Sequence, residues 1–340
     1  MEHSLLNEPF EALLIEKAAD GSIGSRLTQL TGDRLDAGEV TIKVAFSSVN
    51  YKDALAATGT GKIIRRFPCV GGIDLAGEVV HSADPRYAPG DRVVATAFDI
   101  GVSHHGGYAE YARVPADWVV PLPDGLSLLE AMALGTAGFT AALGIVRMEA
   151  NDLSPGNGPV LVTGATGGVG SLAIDMLAGL GYEVVALTSK AAETAYLTNL
   201  GAADVKLTSS IDLSTVRPLE SAQWAGAVDN VGGPLLSWVI ATMKRAGTIA
   251  SIGNAASAEL HSTVFPFILR GVSLVGVDSG FIAYPVRQRV WQRLGADLKP
   301  RHLMDITRVI DLAALPGCFD DFVKGRVKGR TVVRIGDQGG

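Results

Sequence analysis

The sequence predicts an α/β protein of two domains, one β-rich and one built on a doubly wound parallel sheet, and three observations carry that prediction. The chain has 340 residues, about twice the ~150 of a typical single domain. Its first third runs in short alternating segments, the period of half-buried strands. From about residue 128 onward apolar runs alternate with helix-like segments, the signature of βαβ units.

In order, Ala12–Glu16, Val40–Val49, Leu75–His81, Arg92–Thr96, Tyr108–Val114 and Trp118–Leu122 read as strands, punctuated by turn signals such as Ala88-Pro89-Gly90-Asp91. They predict a β-rich domain or barrel. In the middle of the chain Val160–Thr163, Glu183–Leu187, Asp204–Leu207, Ala225–Asp229, Thr248–Ile252 and Ser273–Val277 are strand candidates, with helices at 168–180, 191–200, 233–244 and 284–296. Gly329–Ile335 is again a β-run, expected to return to the first domain. The predicted division is therefore 1–127 with 299–340 for the β-rich domain and 128–298 for the parallel-sheet domain.

Composition narrows the function classes. With 47% hydrophobic and 19% charged residues the bulk of the chain folds, and its 41 glycines show no three-residue period, so disorder and a fibrous architecture are excluded. A net charge of −6 argues against a nucleic-acid footprint, which needs a basic face to displace counterions. Two cysteines, Cys69 and Cys318, are too few for a disulfide framework or a cysteine zinc site and suit a reducing compartment. The N-terminus carries acids where a signal peptide carries Lys or Arg. Ala131–Val146, bounded by Glu130 and Arg147, falls short of the ~20 residues of a membrane span. The expectation is a soluble, cytoplasmic protein with no membrane partner.

The strongest local feature is Val160-Leu161-Val162-Thr163-Gly164-Ala165-Thr166-Gly167-Gly168-Val169-Gly170, running into Ser171–Ala178. A strand passes into a helix through residues without bulk, so helix N-terminal amides can approach a pyrophosphate. It departs from G-x-G-x-x-G, because Ala165 stands at the first position, with Gly167 and Gly170 at the other two. The surrounding βαβ rhythm supplies the context a bare glycine match lacks; the alternative is a tight turn without a ligand. The second strand ends Ala186-Leu187-Thr188-Ser189-Lys190, without the carboxylate that holds an unphosphorylated ribose. Ser189 can donate to a 2′-phosphate and Lys190 can offset its charge, so NADPH is expected over NADH. Otherwise Lys190 is a solvated residue at a helix start.

Gly90-Asp91-Arg92-Val93, Gly106-Gly107-Tyr108-Ala109-Glu110-Tyr111 and Ala133-Leu134-Gly135-Thr136-Ala137-Gly138-Phe139-Thr140-Ala141 lie in order along the chain. With these blocks the sequence resembles the medium-chain dehydrogenase/reductase superfamily. The resemblance implies a GroES-like β-rich catalytic domain and a Rossmann-type nucleotide-binding domain. Where zinc-dependent members carry cysteine and Gly-His-Glu ligands, this chain has Asn50-Tyr51-Lys52-Asp53 and Gly72-Ile73-Asp74, and residues 99–107 hold no cysteine. His104-His105 lacks partners at ligand spacing. The expectation is a metal-free protein of the quinone-oxidoreductase-like, zinc-independent branch. Ser47–Ala56, Gly59–Phe67, Pro266–Val272 and Gly276–Ser279 look most like the NADPH-dependent acrylyl-CoA reductases.

That resemblance implies hydride transfer from NADPH to the β-carbon of acrylyl-CoA, with charge developing on the thioester oxygen and a proton reaching the α-carbon, giving propionyl-CoA. It puts Tyr51 beside the nicotinamide, where its hydroxyl could contact the cofactor or relay the proton; a merely packed tyrosine is the third reading. Lys52 and Asp53 read as a local ion pair or a helix cap. Thr166, Gly167, Gly168 and Val169 are expected on the pyrophosphate, Thr188, Ser189 and Lys190 on the 2′-phosphate, and Asn254 and Ser279 near the nicotinamide half. Thr208, Ile268 and Gly325 follow as cofactor contacts by position, although Ile268 also suits core packing. Asp229 ends an apolar strand and could cap Asn230-Val231-Gly232 or meet ligand. Lys62, Arg65 and Arg66 form the densest basic cluster, suited to the phosphates of a CoA ester or else a solvated loop.

Three functions stay open at this point: an acrylyl-CoA reductase, a reductase of quinones or simple enals and enones, and a non-catalytic NADPH-sensing or structural protein. A homodimer is the family expectation, with the apolar Ser273–Val277 run at a sheet edge where a second copy could pair.

Overall fold

The structure is a computed structural model and describes residues 7–336. Its chain divides into two compact units: the first takes residues through Thr136, Gly280–Gly295 and Met304 onward, the second Ala137–Ser279 and Ala296–Leu303.

The first unit opens with an antiparallel hairpin of β1 (Phe10–Lys17) and β2 (Ile23–Leu30), in register from Phe10↔Leu30 to Lys17↔Ile23. β2 escaped the sequence reading because Gly24, Ser25, Arg26, Thr28 and Gln29 mask its alternation. β3 (Val40–Ser48) is the spine of a seven-stranded sheet. It pairs along one side with β5 (Asp74–Ser82), which leads on to β6 (Arg92–Thr96) and β8 (Val119–Pro121). Its other side is shared by β7 (Tyr111–Val114) and, toward its C-terminal end, β16 (Arg330–Arg334). The two-residue β4 (Cys69–Val70) joins β1. The C-terminal strand does return to this sheet, flanked by β15 (Thr307–Asp311).

The run from Tyr108 becomes strand only at Tyr111, and Trp118 closes a 3₁₀ turn ahead of β8. Leu13, Ile15, Ile42, Leu75, Tyr108 and Val333 belong to the apolar core of this unit. α1 (Tyr51–Thr58) follows β3 and ends at Gly59 in the left-handed region, the usual glycine C-terminus of a helix.

The second unit holds a six-stranded, wholly parallel sheet in the order β11-β10-β9-β12-β13-β14. Its strands are β9 (Val160–Thr163), β10 (Val184–Thr188), β11 (Asp204–Leu207), β12 (Trp224–Asp229), β13 (Met243–Ser251) and β14 (Ser273–Gly276). The order reverses between β9 and β12, the switch point outside which open α/β sheets bind ligands. Connecting helices are α3 (Gly168–Gly179), α4 (Thr194–Asn199), α5 (Gly233–Ala241) and α6 (Phe265–Arg270). Leu161, Ala227 and Ile249 of the sheet pack with Leu235, Val239 and Ile240 of α5.

α2 (Leu128–Glu149) covers the apolar stretch judged too short for a membrane. Its 22 residues are long and apolar enough to cross one by length and composition, yet 78% of its most apolar window is buried inside the protein. Gly135, at φ 51° and ψ −154°, breaks it into two helices.

The unit boundary differs from the predicted one. Residues 280–295, assigned above to the parallel-sheet domain, belong to the first unit. The reason lies in α7 (Tyr284–Leu294): Arg287 is fully buried, donates to Thr96 O at 3.1 Å and Thr96 Oγ1 at 3.0 Å, and lies 4.3 Å from the Phe98 ring centroid. Residues 296–303 belong to the second unit, where Asp175 of α3 accepts the backbone N–H of Arg301 and of His302.

Candidate functional site

In the second unit, β9 ends at Thr163 and the chain turns through Gly164, at φ 58°, into α3, whose N-cap is Gly167. The first amides of a helix lack intrahelical partners and point at whatever lies beyond its N-terminus. Gly170 is what lets the helix lie so close to the strand. A Cβ there would stand 2.5 Å from Gly164 O. Thr166 is buried, Gly168 and Val169 half-buried, and Gly167 exposed, so the predicted pyrophosphate residues form one continuous cradle.

Alongside it, Thr188 ends β10 buried; its Oγ1 accepts the Lys190 N–H at 3.0 Å and its carbonyl accepts from Thr208 Oγ1 at 3.2 Å. Thr188, Lys190 and Thr208 are thus gathered at the carboxyl ends of β10 and β11, with the Ser189 side chain exposed. Asn254 is exposed after β13, and Ser279, after β14, accepts from Thr140 Oγ1 at 2.8 Å. These residues fit a dinucleotide: an open helix N-terminus, a strand end carrying a cation, and polar groups along the carboxyl edge.

Two further expected contacts lie on α6 and just past a helix of the first unit. Ile268, whose alternative reading was core packing, is 68% exposed on α6, so the core-packing alternative does not describe it. Gly325 belongs to the first unit, one residue past Lys324 at the end of α8 (Phe319–Val323), where φ 64° makes it a left-handed turn glycine.

Asp229 proves to be a cap. Its Oδ1 accepts from Thr163 Oγ1 at 2.7 Å and its Oδ2 from the Gly232 N–H at 2.9 Å, and burial pushes its carboxyl up. Its neighbour Asn230 was missed by sequence reasoning. Asn230 lies at the switch point and donates through Nδ2 to Thr163 O at 2.8 Å, while its Oδ1 is buried without a hydrogen-bond partner. The only sequence signal was an amide directly after an apolar strand.

In the first unit Tyr51 opens α1 and is 54% exposed. The residues around it are tightly held. Asp53 is fully buried; its Oδ2 accepts the Asn50 N–H at 2.8 Å and its Oδ1 the Ile73 N–H at 3.0 Å. The cap reading of Asp53 therefore describes it, and Lys52 stands exposed. Burial, reinforced by the nearby Asp74 charge, raises the Asp53 carboxyl to about 7.

Asp74 is also fully buried and accepts from Ser48 Oγ (2.6 Å), Asn50 Nδ2 (2.8 Å), Thr136 N (2.9 Å) and Thr136 Oγ1 (2.5 Å). Arg330, brought in by β16, donates to Ala133 O (2.8 Å), Ser48 Oγ (3.0 Å) and Asn50 Oδ1 (3.3 Å). Neither Asp74 nor Arg330 was singled out from the sequence as a functional residue. Each reads locally as an ordinary surface charge.

Lys62 is exposed, whereas Arg65 pairs with Asp99 at 3.4 Å and Arg66 with Asp36 at 2.5 Å. Asp36 also accepts the His105 N–H at 2.6 Å, so much of the predicted basic cluster is already neutralised within the fold. The two histidines are backbone-bonded, His104 through its ring to Ala37 O and His105 through Nδ1 to the Val70 N–H.

Among the described residues no group of three or more His, Cys, Asp or Glu side chains is arranged to hold a metal ion. The donor chemistry at Asn50 and Asp74 does not fit zinc either. Both Asp74 oxygens are spent on hydrogen bonds, and the buried Arg330 guanidinium occupies the vicinity.

Residues 36–124 match the family described as the alcohol dehydrogenase GroES-like domain, and residues 168–295 that described as zinc-binding dehydrogenase. The acrylyl-CoA reductase AcuI of Ruegeria pomeroyi is 48% identical over 327 residues, 96% of this chain and 99% of that protein. YhfP of Bacillus subtilis, named provisionally as a quinone oxidoreductase, is 47% identical over the same shares. Its solved structure with NAD bound covers 96% of this chain and 100% of that one at a TM-score of 0.94. The yhdH oxidoreductase of Salmonella enterica, solved in complex with NADP, is 45% identical with a TM-score of 0.93, covering 96% of this chain and 100% of that one.

Proposed function

Because the chain belongs to the medium-chain dehydrogenase/reductase superfamily, we propose that it reduces the carbon–carbon double bond of acrylyl-CoA to propionyl-CoA with NADPH. The observation that carries this reading is the 48% identity, over nearly the whole of both chains, to a protein named acrylyl-CoA reductase. The preference for NADPH is supported by the end of β10, where Ser189 and Lys190 face a phosphate more favourably than a carboxylate would.

When bound, NADPH supplies a hydride for the β-carbon of the alkene. The chain's own residues do the rest. The amides from Thr166 to Val169 hold the pyrophosphate at the helix N-terminus, and Ser189 and Lys190 take the 2′-phosphate. Thr208 steadies the strand end through its bond to Thr188 O. Tyr51 in the first unit, and Asn254 and Ser279 in the second, are each read as contacts of the nicotinamide half. Of the two polar roles of Tyr51, cofactor contact is favoured over proton donation. Lys62 is the cation left to meet the CoA phosphates, with Arg65 and Arg66 contributing beyond their carboxylate partners. The protein works as a homodimer in the cytoplasm, a compartment that suits Cys69 and Cys318, both free thiols.

The test is NADPH oxidation followed in parallel with acrylyl-CoA, a quinone and a simple enone. Turnover of the CoA ester far above the other two is expected. Preferential quinone turnover would replace this reading with the one attached provisionally to YhfP, and NADPH binding without any turnover would make the protein non-catalytic.

A further inference from the structure

We infer that Asp74, clamped by Ser48 and Thr136, is a positioning residue that holds the N-terminus of α1 and so sets where Tyr51 presents its hydroxyl. The inference rests on the reading of Tyr51 as a cofactor contact and adds the machinery behind it. Asn50, the residue immediately before Tyr51, has its side-chain amide gripped at both ends. Its Nδ2 donates to Asp74 Oδ2 at 2.8 Å and its Oδ1 accepts from Arg330 Nη1 at 3.3 Å. Its backbone N–H is fixed separately by Asp53. With all three polar groups engaged, the step from β3 into α1 has one arrangement open to it.

The cluster is built for close approach. Gly135 lies against it, and a Cβ there would stand 2.6 Å from Asp74 Oδ2 and 2.8 Å from both Arg330 Nη2 and Ser48 Oγ. The same glycine breaks α2 at a φ/ψ that side chains avoid, which turns the Thr136 N–H and hydroxyl onto the two Asp74 oxygens. Asp74 of β5 thus gathers Ser48 of β3, Asn50 and the α2 break on one carboxylate, while Arg330 of β16 holds Ser48 Oγ and Asn50 Oδ1 from the other side.

Stability alone does not account for it. Buried ionic groups are often no better for stability than apolar residues of the same volume, and their best-attested benefit is a single fixed arrangement. Here the element so fixed is the start of α1, which carries an exposed tyrosine.

The experiment uses the full chain as wild type, Asp74→Asn, Tyr51→Phe and the double variant. Amide exchange in the cofactor-free protein is read over residues 51–58 of α1; NADPH affinity is read by fluorescence and kcat with acrylyl-CoA. Asp74→Asn keeps the volume but places an amide where donors now point. It is expected to speed exchange in α1, to leave NADPH affinity within about twofold, and to lower kcat by about tenfold or more. It should add nothing further on the Tyr51→Phe background, because both changes act through one group.

An equal kcat loss in both backgrounds would overturn the inference, as would a fall in Tm with kcat and α1 exchange unchanged. A kinetically silent Tyr51→Phe would instead overturn the reading of Tyr51, while α1 exchange still decides whether Asp74 holds the helix. Should Asp74→Asn fail to fold, Thr136→Val removes the Thr136 hydroxyl bond alone and is expected to shift exchange and kcat in the same direction by a smaller factor; no shift in either would count against the inference.

Discussion

Asp53 is a carboxyl that folding has made reluctant to ionise. Its folded value, raised to about 7 by burial and by the Asp74 charge, lies above the ~3.9 of an unfolded aspartate. Between those two values the folded chain holds the extra proton. The stability it contributes is full at acid pH and is lost as pH rises through about 7. Urea midpoints measured from about pH 4 to pH 8 should therefore show the wild type losing ground to Asp53→Asn as pH rises; parallel profiles would mean the carboxyl ionises as freely as in water. In the second unit, Lys190→Glu would set a carboxylate at the proposed 2′-phosphate site. The ratio of kcat/KM with NADPH to that with NADH should fall by about tenfold or more, and an unchanged ratio would remove Lys190 from the site. The NAD-bound structure of YhfP makes this preference a point to measure in this chain.

Among the elements, the β9–α3 turn is the one whose function follows most directly from its backbone. Gly170→Ala puts a methyl 2.5 Å from Gly164 O, a distance that backbone must move to relieve. NADPH affinity measured by titration should drop about tenfold, equivalent to about 1.4 kcal/mol, with a lower Tm as the strand and helix separate. Retained affinity would show that the cradle tolerates a wider crossing. This turn was legible beforehand because strand, glycines and helix lie consecutively between Val160 and Gly179, and local sequence dictates local backbone. β10 and β12 were legible for the same reason, each a compact apolar run; of β13 only the Thr248–Ser251 half was, because Met243-Lys244-Arg245 breaks the run and its start reads as the end of the preceding helix. β2 and the boundary at Gly280 were not. The first has too many polar residues for its alternation to show, and the second depends on Arg287 meeting Thr96 across 191 positions of chain.

For the whole molecule, the exposed apolar residues around α6 bear on assembly. Val264, Phe265, Ile268 and Leu269 are 63%, 47%, 68% and 49% exposed, beside β14, an edge strand that hydrogen-bonds only to β13 within its sheet. An apolar patch next to an open strand edge is a surface that soluble proteins usually cover. Light scattering coupled to size exclusion should report a dimer for the wild type, with Val264→Asp/Ile268→Asp shifting it toward monomer at equal concentration; a monomeric wild type would remove the second copy from the proposal.

The sequence by itself determined the two-domain α/β class, the parallel sheet, the phosphate turn and the family resemblance, because each is written in contiguous residues whose period or lack of bulk has a direct backbone consequence. The structure alone revealed the cluster behind Tyr51. Asp74, Gly135 and Arg330 come from three separate segments, and Arg330 reaches Asn50 across 280 positions. No local pattern distinguishes a charge bound for the interior from one bound for water, and only the returning β16 strand, paired with β3, brings that arginine to the start of the helix that Tyr51 opens.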